Sequence, residues 1–162
     1  MTTGGPSGQP ASAQSRLATA RRVFLDTAPI IYYFEANAAY VAALDPFFRR
    51  LDDGGVEAVT SPVTLAECLI HPLRRGDSAT AELFMSRLIS APGVRFTPID
   101  AVIGRRAAGL RAGHNLSLTD ALQLATAAAS GCDAMLTNDT DLARCALPQL
   151  DVVLVSQLRA EG

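Results

Sequence analysis

The sequence predicts an α/β fold: one parallel sheet of about five strands sandwiched between helices in three layers, α/β/α. Three observations carry this expectation. Short, largely apolar runs recur along the chain, stretches of helical period lie between them, and cap or turn residues stand at the junctions. Val23-Phe24-Leu25 is the first apolar run and ends at Asp26. Val56 to Thr60, Val94 to Thr97, Ala134 to Thr137 and Val152 to Val155 are the others. A run that does not alternate is buried on both faces, as a strand is when crossover helices cover both sides of a parallel sheet.

The helices follow from local signals. Pro29 suits a first helical turn that carries Ile30, Ile31 and Phe34 and breaks near Asn37. Ala39 to Leu51 spaces Val41, Leu44, Phe47, Phe48 and Leu51 at helical period, and Asp53-Gly54-Gly55 stops it. Ser61 reads as an N-cap with Pro62 at the first helical position. Asp77 to Ser90 is amphipathic and ends at Ala91-Pro92-Gly93. Asp100 to Ala112 stops at Gly113, the alanine-rich Ser117 to Ser130 closes at Gly131, and Asp139 to Cys145 forms a short helix. No internal repeat or second domain is visible, so residues 21–158 are expected to form one domain. Residues 1–20 mix Gly, Pro, Ser and Gln with alanine, lack the apolar centre of a secretory signal, and are expected to be a disordered leader.

Composition sets limits. Apolar residues make up 49% of 162, enough for a core without disulfides or a structural metal. The three cysteines, Cys68, Cys132 and Cys145, form no Cys-x-x-Cys pair and sit in apolar or alanine-rich contexts, as small core residues in a reducing cytosol do. No segment has the continuity of a membrane span, and a cytoplasmic location is the default expectation. A net charge of −2 excludes little, because a local basic rim suffices to bind nucleic acid. There is no lysine at all.

In sheets of this kind the active crevice lies beyond the carboxyl ends of the strands. Asp26 follows the first strand, where it also suits a helix cap. Glu67 lies inside the helix opened by Ser61, on one face with Val63 and Ile70. A carboxylate on an apolar stripe costs several kcal/mol, as an order of magnitude, unless a cation or donors meet it. Asp120 stands three residues after Ser117, as in a capping box, near the positive end of its helix. Asp139 follows the fourth strand, with Asp141 two residues on, and Thr137 to Asp141 also makes a sensible turn. Most of these acids have cheap local explanations singly. Together, packed at one end of the sheet, they would raise one another's pKa without a cation among them. Hard oxygen ligands unaccompanied by His or Cys suit Mg²⁺ or Mn²⁺ rather than zinc.

From about Val23 to Val155 the chain resembles the PIN domain family and, within it, the toxin component of VapBC toxin–antitoxin pairs. The resemblance rests on Val23-Phe24-Leu25-Asp26-Thr27, Thr60-Ser61-Pro62-Val63-Thr64-Leu65-Ala66-Glu67 and Leu116-Ser117-Leu118-Thr119-Asp120-Ala121-Leu122. Ala125-Thr126-Ala127 and Leu136-Thr137-Asn138-Asp139-Thr140-Asp141-Leu142 complete it in the family's order. It implies a PIN-like endoribonuclease with Asp26, Glu67, Asp120 and Asp139 as the catalytic and metal-binding acids, and Thr27, Thr137 and Asn138 in support. Whether Asp141 shares or replaces the role of Asp139 stays open. It also implies RNA substrates, often structured ones such as tRNA, a homodimer, and a small antitoxin that covers the pocket.

Phosphates approaching a negative pocket call for positive charge at its rim, and Arg49, Arg50, Arg74, Arg75, Arg105, Arg106 and Arg111 are the candidates. No aromatic-rich motif for stacking bases is apparent, so recognition by shape is expected. Response-regulator receivers and haloacid-dehalogenase-like phosphatases also place aspartates at strand ends, but both normally need a lysine. The latter also want an aspartate where Ala28 stands. The competing functions are a catalytically silent RNA- or protein-binding module and a nuclease acting on DNA.

Overall fold

Strand order, in the computed structural model, is β3-β2-β1-β4-β5 with every pairing parallel. The structure describes residues 10–145 and 147–159. The strands are β1 (Arg22–Leu25), β2 (Glu57–Thr60), β3 (Val94–Phe96), β4 (Ala134–Thr137) and β5 (Asp151–Leu154). Between them run α2 (Thr27–Phe34), α3 (Val41–Asp52), α4 (Pro62–Arg75), α5 (Ser78–Ile89), α6 (Ala101–Gly113), α7 (Leu118–Ala129) and α8 (Thr140–Ala143), with α1 (Ala13–Thr19) ahead of β1.

The central strands β1, β2 and β4 are buried on both faces, the edge strand β3 only partly, and successive strand residues separate into two cores. Val23, Leu25, Ala58, Ala134, Leu136 and Val153 pack with Ile30, Leu44, Phe47, Phe48, Phe84 and Leu88 on one side. Phe24, Val59 and Met135 pack with Ile103, Ala107, Leu124, Ala125 and Leu142 on the other. This is the expected three-layer α/β/α arrangement. The period-two alternation of side chains makes it possible, since one strand feeds both layers. The predicted caps form: the Ser61 hydroxyl accepts from the N–H groups of Val63 and Thr64, with Pro62 opening α4, and Gly76 closes it at φ +67°, a left-handed conformation that glycine tolerates.

The expected disordered leader through residue 20 does not hold for its described part. Ser12 caps α1, Leu17 is buried, and the Arg50 guanidinium donates to the carbonyls of Leu17 and Ala20. Arg16 adds an ion pair to Asp151 at 2.5 Å, beside the start of β5. A helix of seven residues is too short to hold itself together, and contacts distant in sequence supply what propensity does not. The remainder of the expected leader, residues 1–9, lies outside the described residues.

Candidate active site

The chain leaves β1 for β2 on one side of the sheet, whereas β4 continues to β5 on the other, so the direction of winding reverses between β1 and β4. A crevice opens at such a point beyond the carboxyl ends of the two strands. Asp26 ends β1 there, its N–H donating to the Leu136 carbonyl of β4 at 3.0 Å, and its carboxylate caps α2. Thr137 ends β4, and Asp139 caps α8 by accepting the Asp141 N–H at 2.8 Å. Glu67 stands within α4. Asp120 lies in the first turn of α7, its N–H donating to the Ser117 hydroxyl at 3.1 Å.

Asp26 is 9% exposed and held through both carboxylate oxygens. Oδ1 accepts from the Thr27 N–H at 2.8 Å and from Gln123 Nε2 at 2.5 Å; Oδ2 accepts from the Thr137 hydroxyl at 2.6 Å. Burial pushes its pKa up to about 6, against the lowering effect of the Thr137 and Thr27 donors, and the charges of Glu67 and Asp120 push the same way. Asp120 is raised too, by burial first, with Ser117 opposing and Asp139, Glu67 and Asp141 adding repulsion. Glu67 accepts the Thr27 hydroxyl at 2.5 Å. Acids from separate segments therefore share one electrostatic field. Asp139 perturbs Asp120 more than Asp141 does, and Asp141 is exposed and paired with Arg144 at 3.2 Å. Among the described residues no arginine forms an ion pair with Asp26, Glu67, Asp120 or Asp139.

The donor set decides which group fits here. It consists of carboxylate, hydroxyl and amide groups. His71 and His114 are exposed, and burial pushes the Cys68 thiol up to about 12, so it stays neutral. Carboxylate oxygens that no arginine among the described residues neutralises suit a hard divalent cation. As they stand, no three His, Cys, Asp or Glu side chains among the described residues enclose an ion-sized space. Glu67 is directed at Thr27 and Asp139 at the α8 cap, while Asp26 is already fixed. A separate cavity of about 330 Å³ lined by Leu25, Ile30, Phe34, Phe48 and Leu88 is mainly apolar and holds none of these acids.

Of the arginines expected at a phosphate rim, two lie elsewhere. Arg50 is tied to backbone carbonyls before β1 and before β2, the end of the sheet opposite the acids. Arg106 lines a hollow with Gly131, Cys132 and Asp133, ahead of β4 at that same far end. Arg49 pairs with Asp45 at 2.6 Å, Arg111 donates to the Leu116 carbonyl, and Arg75 reaches Glu35 and Asp77 only at 3.7 and 3.6 Å. Arg74 and Arg105 are exposed on α4 and α6. Sequence reasoning missed Gln123 and Thr64. Gln123 was a polar residue on a buried alanine-rich face, and that anomaly was the available signal.

The sequence profile of the PIN domain matches residues 23–147, from β1 past α8. The chain belongs to the PIN domain family. No curated protein matches it. Among solved structures, this PIN domain is similar to VapC20 of Mycobacterium tuberculosis, a sarcin–ricin loop cleaving toxin, with 19% identity, a TM-score of 0.64, and coverage of 80% of this chain and 98% of that one. It is also similar to a chain of the DNA-bound VapBC of Salmonella typhimurium, with 17% identity, a TM-score of 0.62, and 83% and 98% coverage. A chain of FitAcB from Neisseria gonorrhoeae shares 23% identity at a TM-score of 0.58, with 84% and 99% coverage. At these identities the likeness is one of fold.

Proposed function

We propose that this PIN domain is a divalent-cation-dependent endoribonuclease, the toxin of a toxin–antitoxin pair. The observation that carries the reading is the gathering of Asp26, Glu67 and Asp120 from three segments at the β1/β4 crevice, Asp26 buried, with no arginine pairing them among the described residues. Such an arrangement is costly for a protein alone and becomes favourable once a cation is present.

Asp26 and Asp120 would hold the cation, Mg²⁺ or Mn²⁺, and Glu67 and Asp139 would support it or orient water. A divalent cation bound there supplies Lewis acidity, acidifying water and neutralising charge on a phosphodiester. Thr137 and Gln123 keep the Asp26 carboxylate fixed, and Thr27 holds Glu67. Glu67 or Asp120 would accept the proton of the attacking water. RNA enters over exposed arginines such as Arg74 and Arg105, which meet phosphate oxygens rather than bases. The solved relatives include toxin–antitoxin complexes, which supports a small antitoxin as partner; the homodimer rests on the family resemblance alone. Among the described residues no helix is long and apolar enough to cross a membrane.

The test is cleavage of structured RNAs, tRNA and ribosomal stem-loops included, against matched DNA with Mg²⁺, Mn²⁺ or chelator. RNA cleavage that needs the cation and is lost in D26N and D120N is the expected result. RNA binding without turnover would favour a silent module, and equal cleavage of DNA a broader nuclease.

A further inference from the structure

Gln123 is 1% exposed in the middle of α7, among the buried residues Ala121, Leu124, Ala125, Thr126 and Ala127, of which Thr126 spends its hydroxyl on the helix's own Leu122 carbonyl. Packing alone would favour leucine there, because a buried primary amide is costly unless all its polar atoms are met. Here the amide is met by groups that matter to the site. Its Nε2 donates to Oδ1 of Asp26 at 2.5 Å, and its Oε1 accepts the Thr64 hydroxyl at 2.7 Å. Gln123 stands three residues after Asp120 on α7, and Thr64 three residues before Glu67 on α4. One amide thus joins the three segments that carry Asp26, Glu67 and Asp120.

Its orientation is dictated. A carboxylate only accepts hydrogen bonds, so the Nε2 end must face Asp26, and the Oε1 end then faces Thr64. Each carboxylate oxygen has two lone pairs. Oδ1 uses both, on Gln123 and on the Thr27 N–H, whereas Oδ2 uses one, on Thr137. We propose that Gln123, aimed by Thr64, is a positioning residue that occupies Oδ1 of Asp26 and leaves Oδ2 as the single oxygen offered to a cation. The inference rests on the divalent-cation reading of this site.

The test is Mn²⁺ binding to the full chain, followed by electron paramagnetic resonance of the free ion, with thermal unfolding of the metal-free protein measured beside it. Gln123→Met keeps volume and removes both hydrogen bonds; Thr64→Val removes the hydroxyl that aims the amide, and Thr64→Ser restores it. Q123M is expected to weaken Mn²⁺ binding about 10- to 100-fold, the usual range for a group supporting a ligand. T64V weakens it less, T64S returns it to the wild-type value, and the double variant T64V/Q123M binds no more weakly than Q123M. Should Q123M bind within about twofold of wild type, whatever its melting point, Gln123 only satisfies the core and the proposal is wrong. If Q123M does not fold, the contrast of T64V with T64S decides, and equal affinities overturn the proposal. Wild-type protein that takes up no Mn²⁺, or D120N that binds it equally well, refutes the cation reading itself and the proposal with it.

Discussion

The two ends of the sheet carry the same kinds of acid and treat them in opposite ways. At the amino end Glu57 pairs with Arg22 at 2.7 Å and Arg95 at 3.2 Å, and Asp151 pairs with Arg16. Asp133 there accepts the backbone N–H groups of Arg21 and Arg22 at 2.7 and 2.9 Å. At the carboxyl end Asp26, Glu67 and Asp120 are met by hydroxyls, amides and one another, and Asp26 is buried besides. Charge at the first end is balanced within the fold. At the second, no arginine among the described residues balances it, which is what the proposed cation would do.

The largest expected effect breaks the second end. D26N and D120N should each reduce RNA cleavage below about 1% of wild type with far-ultraviolet circular dichroism unchanged, since on the proposed reading each would remove a ligand of the cation. A stability change of the opposite kind follows for the metal-free protein. Because the Asp26 pKa is raised by folding, its contribution to stability is present below the ordinary carboxylate range and is lost as pH rises through about 6. D26N should therefore be more stable than wild type at pH 7.5, by up to about 3 kcal/mol, and lose that advantage at pH 4. Unfolding midpoints in chelator at the two pH values check the sign.

Cation addition sharpens the contrast from the other direction. At a concentration one hundred times its dissociation constant, a divalent ion should stabilise wild type at pH 7.5 by about 2.7 kcal/mol. D120N should gain much less. The smallest effect belongs to the amino end: Glu57→Gln should cost about 0.2–1 kcal/mol, fade with salt, and leave RNA cleavage untouched. A large loss of cleavage in that variant would mean that the two ends are not independent.

The sheet and the acids of the carboxyl end were legible in the sequence; the pairing of Glu57, Asp133 and Asp151 at the amino end was not. Apolar strands alternating with capped helices dictated the sheet, and the rule that sites lie beyond strand ends drew attention to Asp26 and Asp139 before any geometry was known. Glu67 stood out for a reason the fold does not supply: the stripe of Val63 and Ile70 is not the buried face of α4, since Ile70 is 44% exposed and Thr64, Cys68 and Pro72 are the residues buried. The misses share a physical cause, which is contact across long sequence separations. Gln123 reaches Asp26 across 97 positions, and nothing local in Leu122-Gln123-Leu124 shows it. Arg50 pointed to phosphate by composition, yet its guanidinium is taken by carbonyls 30 and 33 positions earlier. The same contacts turn part of an expected disordered leader into α1. Aromatics separated along α2 and α3 also meet only in the fold: Tyr32 stacks on Tyr40 at 4.6 Å, and Tyr33 on Phe48 at 3.9 Å.

Anomalous diffraction from crystals soaked in Mn²⁺ tests the central claim most directly. The account predicts one strong peak or a close pair at the β1/β4 crevice, touching Oδ2 of Asp26 and a carboxylate oxygen of Asp120. A crevice without a peak at saturating Mn²⁺, or an ion held instead among the acids of the amino end, would contradict it.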